Sequence, residues 1–263
     1  MKYGIIGVGA IGGYYGSKLA YSGQDVHFLL HSDYQYVKEH GMQVDSCDGS
    51  FHLDHVNVYQ HPEDMPKCDV VVVGLKTTNN HLLPSLLTPL LHEHTVVVLI
   101  QNGIGVEADV QKIFPGVQLV AGLAFICSAK TEPVRVNHQC YGNINLGNYS
   151  CRDEAVFAQI LSDFTAAGVA CASVPYEEAR WKKAVWNMPF NGMTVALNTR
   201  TDLLLKHAST RQLIRDMMME VVCASRALGV SGVDEALARA AGYHMSKLEM
   251  LESELRFLSE HQQ

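Results

Sequence analysis

Near its start the chain reads Gly7-Val8-Gly9-Ala10-Ile11-Gly12, directly after the strand-like stretch 2–6 and directly before a helical pattern over 11–22. No other feature constrains the fold as tightly. At this spacing the first glycine permits a tight turn, and the second lets backbone approach a pyrophosphate. The third lets helix and strand pack closely. The helix start behind them offers N–H groups without intrahelical acceptors, which suits phosphate. A lone G-x-G-x-x-G is weak evidence, but between a strand and a helix it is specific. Gly7, Val8, Gly9, Ala10, Ile11 and Gly12 are therefore expected to cradle a dinucleotide.

The alternation continues. Residues 25–30 read as a second strand after Gly23, 69–75 as a buried central strand, 82–91 as a helix and 95–101 as a further strand. Residues 117–125 keep the rhythm, and 134–146 read as shorter strands in an antiparallel extension. Such alternation predicts a parallel sheet covered on both faces. Residues 169–174 carry the last strand signal. From Tyr176 onward apolar residues recur at helical spacing, with breaks at Gly229 and Gly242. Met245, Leu248, Leu251, Leu255 and Leu258 fall on one stripe, an amphipathic helix that caps the core or meets a partner such as a second copy. The expected fold is α/β: an N-terminal Rossmann-type doubly wound sheet over 1–170, then a C-terminal all-helical domain over 171–263 for substrate and dimerisation.

Bulk properties exclude several classes. An apolar fraction of 48% with 18% charged residues is that of a globular protein with a core. A net charge of −7 gives nucleic acid no basic surface. The apolar runs are strand-length, too short for a membrane. The chain enters a strand and a glycine turn at once, so no signal peptide is expected. Its 7 cysteines form no Cys-x-x-Cys pair and its 13 histidines are dispersed. Reduced thiols, a cytoplasmic location and no metal are expected.

The tip of the second strand discriminates between dinucleotides. An NAD enzyme usually places an acid there, about 20 residues beyond the glycines, to accept the ribose 2′-hydroxyl. Here the chain reads Leu30-His31-Ser32-Asp33. His31 and Ser32 can donate to a 2′-phosphate, which favours NADP, while Asp33 lies two residues further and can still turn inward. Lys76 and Asn102 close two later strands at their carboxyl ends, the edge where open α/β sheets bind ligands.

The second informative segment is Trp181-Lys182-Lys183-Ala184-Val185-Trp186-Asn187-Met188-Pro189-Phe190-Asn191. Lys183, Asn187 and Asn191 fall at i, i+4 and i+8, hence on one helical face. Their neighbours are heavily apolar, so the helix is expected to be mostly buried, with a polar stripe that needs partners. A bound polar substrate would supply them; capping of nearby backbone, or a solvated face, is the plainer alternative. Pro189 and Gly192 suggest a kink.

The glycine fingerprint, Lys76, Gln101-Asn102-Gly103 and Trp-x-Lys-x-x-x-Asn-x-x-x-Asn together resemble the ketopantoate reductase family (2-dehydropantoate 2-reductase), from residue 1 to about Leu228. The resemblance implies NADPH-dependent reduction of 2-dehydropantoate, a small 2-oxo acid, to pantoate in pantothenate biosynthesis. It implies Lys183 as general acid and Asn187, Asn191 and Asn102 as substrate ligands. Lys76, Asn102 and His31 would touch the cofactor, and Ala129 would offer a backbone contact to the nicotinamide. Two positions depart from the family. His31 stands where an arginine is common. Met245-Ser246-Lys247-Leu248-Glu249 stands where a Ser–Met pair, an Asp and a Glu are expected, so a shortened or altered C-terminal segment is anticipated. Glu249, Glu252 and Glu254 are candidates for the missing acid, against the simpler reading of a solvated face. Two other functions stay open: reduction of another 2-oxo acid, and nucleotide binding with impaired catalysis.

Overall fold

The computed structural model describes residues 1–132 and 135–233. It divides into two compact units, Met1–Tyr176 and a second beginning at Glu177. The amphipathic stripe from Met245, the Gly242 break and the Met245–Glu249 departure lie outside the described residues.

The first unit runs β1 (Lys2–Ile6), α1 (Ala10–Tyr21), β2 (Asp25–Leu29), α2 (Tyr34–His40), β3 (Met42–Ser46), β4 (Phe51–Leu53), β5 (Asn57–Tyr59), β6 (Val70–Val73), α3 (Leu83–Leu87), β7 (Val96–Leu99), α4 (Val106–Ile113), β8 (Gln118–Glu132), β9 (Arg135–Asn148), α5 (Glu154–Ala166) and β10 (Cys171–Val174). The strands form one sheet in the order β4-β3-β9-β8-β7-β6-β1-β2-β5, with β10 added on β9. From β5 to β8 every neighbouring pair is parallel. The order β5-β2-β1-β6-β7-β8 is that of a doubly wound dinucleotide-binding sheet, with its switch point between β1 and β6.

Strand alternation builds two cores. On β6, Val70 and Val72 face one side with Tyr3, Ile5 and Phe28. Val71 and Val73 face the other, with Ile6, Leu87 and Leu90. All four valines are fully buried. Successive strand side chains point to opposite faces, so a strand covered on both sides is apolar throughout.

Beyond the parallel core the structure departs from the expected short strands. β8 and β9 form a long antiparallel ribbon, irregular at Phe125/Ile126, Cys127/Ser128 and Lys130/Glu132. These bulges break the alternating pattern in the sequence. β9 pairs in turn with β3, so the sheet wraps around α1. The expected helix over 82–91 shortens to α3, with 3-10 turns over Thr77–Leu82 and Thr88–Leu90. Pro84 and Pro89 lack the N–H that a longer helix would use.

The second unit begins within α6 (Tyr176–Ala196) and continues with α7 (Thr201–Lys206) and α8 (Ala208–Ala227). Val185, Phe190, Leu204, Leu205, Ile214, Met218 and Val222 form its core. The division falls after Tyr176 where the sequence suggested 170, because β10 pairs with β9 and so stays with the sheet. No helix among the described residues is long and apolar enough to cross a membrane.

Candidate active site

The glycine turn is built by steric necessity. Gly7 has φ +83°, and a Cβ there would lie 2.5 Å from the Leu75 nitrogen. A Cβ on Gly12 would lie 2.3 Å from the Gly7 carbonyl oxygen. Gly74, at the end of β6, would carry its Cβ 2.9 Å from Gly12 Cα and from Gly7 O. Three glycines therefore meet at the switch point, backbone on backbone. Gly74 is a part of this seat that the sequence did not single out; nothing local marks it, and its partners are set by the pairing of β1 with β6.

Gly9 differs. A Cβ on it would meet nothing within 4 Å. It is the N-cap of α1, with no side-chain cap, and its own N–H bonds to Gly7 O at 2.9 Å. The first-turn N–H groups of Ala10, Ile11 and Gly12 have no acceptor within the helix. Open space over bare N–H groups at a positive helix end fits a pyrophosphate. Val8, Gly9, Ala10 and Ile11 are half-buried around it.

The edge carries the other expected residues. His31 and Ser32 are exposed just past β2, and Asp33 turns inward and is buried. Lys76 is exposed and starts the 3-10 turn after β6; Asn102 is exposed after β7. Between their loops lies Gln101, buried, whose Nε2 donates to Leu75 O and to Asn80 Oδ1, each at 2.7 Å. Gln101 thus fixes the two loop starts together. Ala129 is exposed on β8, between Ser128, whose hydroxyl donates to Ala10 O at 3.4 Å, and Lys130, which pairs with Asp33. Away from this edge, Cys47, Asp48 and His138 bring potential ligand atoms within 4.8 Å of one another, although Ser46 Oγ already stands 2.8 Å from His138 Nδ1.

In the second unit, α6 buries the stripe Arg180, Ala184, Val185, Pro189 and Phe190, with the Trp186 and Phe190 rings 4.3 Å apart. The expectation of a mostly buried helix needs correction: Met188 is 56% exposed, Val195 81%, and Asn191 is also exposed. The helix runs unbroken through Pro189, and the Thr194 hydroxyl donates to the Phe190 carbonyl at 2.8 Å. Lys182 pairs with Glu178 one turn back. Lys183 is half-buried, as is Asn187. Burial, together with the charge of Arg180, lowers the Lys183 pKa from 10.5 to about 8. Losing water and facing a like charge both disfavour the ammonium, so it gives up its proton more readily than a surface lysine.

The family model for ketopantoate reductase PanE/ApbA matches residues 3–150, and its C-terminal counterpart matches 176–256. A 2-dehydropantoate 2-reductase of Nostoc sp. is 46% identical over 87% of this chain and 73% of its own length. The chain belongs to the ketopantoate reductase family. Among solved structures, the 2-dehydropantoate 2-reductase of Geobacter metallireducens is similar with a TM-score of 0.90 and 37% identity, covering 94% of this chain and 83% of that one. The enzyme of the same name from Methylococcus capsulatus gives a TM-score of 0.83 and 30% identity, covering 93% and 79%. The family's fold, a Rossmann-type unit followed by a helical one, is the fold found here.

Proposed function

We propose that the chain reduces the ketone of 2-dehydropantoate to the alcohol of pantoate with NADPH. One observation carries this reading: the amine of lowered basicity at Lys183, on a helical stripe with Asn187 and Asn191. Bound NADPH supplies the hydride. Reduction of a keto carbon builds negative charge on its oxygen, and the Lys183 ammonium stabilises that charge and delivers the proton. A pKa of about 8 keeps this acid mostly protonated near neutrality while making it a better donor than an ordinary lysine.

Asn187 and Asn191 bind the polar groups of the 2-oxo acid, each offering a donor pair and an acceptor. Asn102 and Lys76, at the carboxyl ends of β7 and β6, contact cofactor and substrate. The turn from Gly7 to Gly12 holds the pyrophosphate on first-turn N–H groups, His31 donates to the 2′-phosphate, and the Ala129 backbone meets the nicotinamide. All 7 cysteines are free thiols, which fits a reducing compartment such as the cytoplasm.

The test is steady-state oxidation of NADPH with 2-dehydropantoate, wild type beside Lys183→Ala. The variant should lose about 10²–10⁴-fold in kcat, the usual worth of a positioned acid, while still binding NADPH by fluorescence titration. A wild type that binds NADPH and turns over none of a panel of 2-oxo acids would reject the reading. Turnover confined to another member of the panel would replace the substrate and keep the chemistry.

A further inference from the structure

Asp33 lies two residues beyond His31, between the end of β2 and the start of α2, close to the place where a dinucleotide-binding fold sets the acid that reads the ribose 2′-hydroxyl. Left free, such a carboxylate favours NADH and repels the 2′-phosphate of NADPH. Here it is not free. Asp33 is 8% exposed. Its Oδ1 accepts a hydrogen bond from Ser32 Oγ at 3.0 Å, and its Oδ2 takes the Lys130 ammonium. Both carboxylate oxygens are engaged. Lys130 reaches across 97 positions of sequence from β8 to do this. Two residues earlier on the same strand, Ser128 ties β8 to the glycine turn through Ala10 O. Residues i and i+2 share a strand face, so one face of β8 runs from the start of α1 to the tip of β2.

We infer that Lys130 determines the preference for NADPH over NADH by holding and neutralising Asp33. The inference rests on the proposed use of a nicotinamide nucleotide at this edge. Pairing removes the negative field that would oppose a 2′-phosphate carrying nearly two charges. It also occupies the oxygens that would accept the 2′-hydroxyl of NADH. An ammonium has three N–H donors, so Lys130 retains capacity for a phosphate oxygen beside His31. An acid that could favour NAD is present close to the strand tip, but the fold silences it.

The experiment is titration of the whole chain with NADPH and with NADH, read by nicotinamide fluorescence without substrate, together with kcat/KM for each. Lys130→Ala should weaken NADPH binding about tenfold or more while NADH binding holds or improves, like charges being costly when juxtaposed. Adding Asp33→Ala to Lys130→Ala should recover most of the lost NADPH binding, since nothing then needs neutralising. Lys130→Arg keeps the pair and should keep the wild-type ratio, which separates loss of charge from loss of folding. A ratio unchanged within twofold in Lys130→Ala overturns the inference, as does a double variant no better than the single one. Failure of both nucleotides to bind the wild type would instead sink the proposed function.

Discussion

The glycine turn of the first unit and helix α6 of the second are specified in opposite ways. The turn works by what is missing: Gly7, Gly12 and Gly74 leave no room for one methyl group. The helix works by what is present, an amine in a setting that penalises its charge. The first arrangement is close-packed main chain that any added side chain would disrupt. The second carries an electrostatic penalty, as expected of the chemical role proposed for Lys183. Substitutions in the two places should therefore fail differently.

Lys183→Met sharpens the contrast most. Activity should fall by about 10²–10⁴-fold, yet the Tm by scanning fluorimetry should hold or rise, by roughly 2–4 °C per kcal/mol relieved. A lower Tm would mean that the amine stabilises the unit and that the contrast is false. Gly7→Ala should do the reverse. A methyl forced onto backbone at positive φ combines overpacking with left-handed strain, about 2–5 kcal/mol together, and chemical denaturation should show most of it.

Gly9→Ala separates binding from folding inside the turn itself. Its surroundings are open and its φ of −93° suits any residue. Stability should change by less than about 0.5 kcal/mol, while NADPH affinity drops about tenfold or more as the methyl takes the space of a phosphate oxygen. Equal loss of stability and affinity would erase the distinction between Gly9 and its neighbours.

A pH series gives the gentlest probe. With Lys183 as the proposed acid, the pH profile of kcat/KM should fall about tenfold per pH unit above its pKa of about 8. Stability moves the other way for this group. Its folded pKa lies below the unfolded value of 10.5, so the unfolded chain binds more protons between about 8 and 10.5. Its penalty is full below that window and fades as pH rises through it. Lys183→Met should flatten both responses.

Much of this was readable in advance because it is local. A glycine triplet between strand and helix, a run of valines, and polar residues at i, i+4 and i+8 each state their geometry within a dozen residues. What stayed hidden depends on chain segments meeting late. Gly74 joins the seat only because β6 pairs with β1. Lys130 meets Asp33 only because the β8–β9 ribbon wraps around α1. Bulges in that ribbon disrupt period two, so its length could not be read from alternation. Gln101 figures in the sequence only within the Gln101-Asn102-Gly103 segment, because its amide joins two loops that are far apart in the chain.

The meeting of Gly7, Gly12 and Gly74 has a practical corollary for anyone redesigning this protein. No rotamer change can relieve an intrusion there, since the atoms an added Cβ would overlap are main chain. Mutant libraries aimed at new nucleotides would waste their members on those three positions. Diversity belongs instead at the outer rim, around residues 31–33 and 128–130, where side chains rather than peptide planes set the boundary.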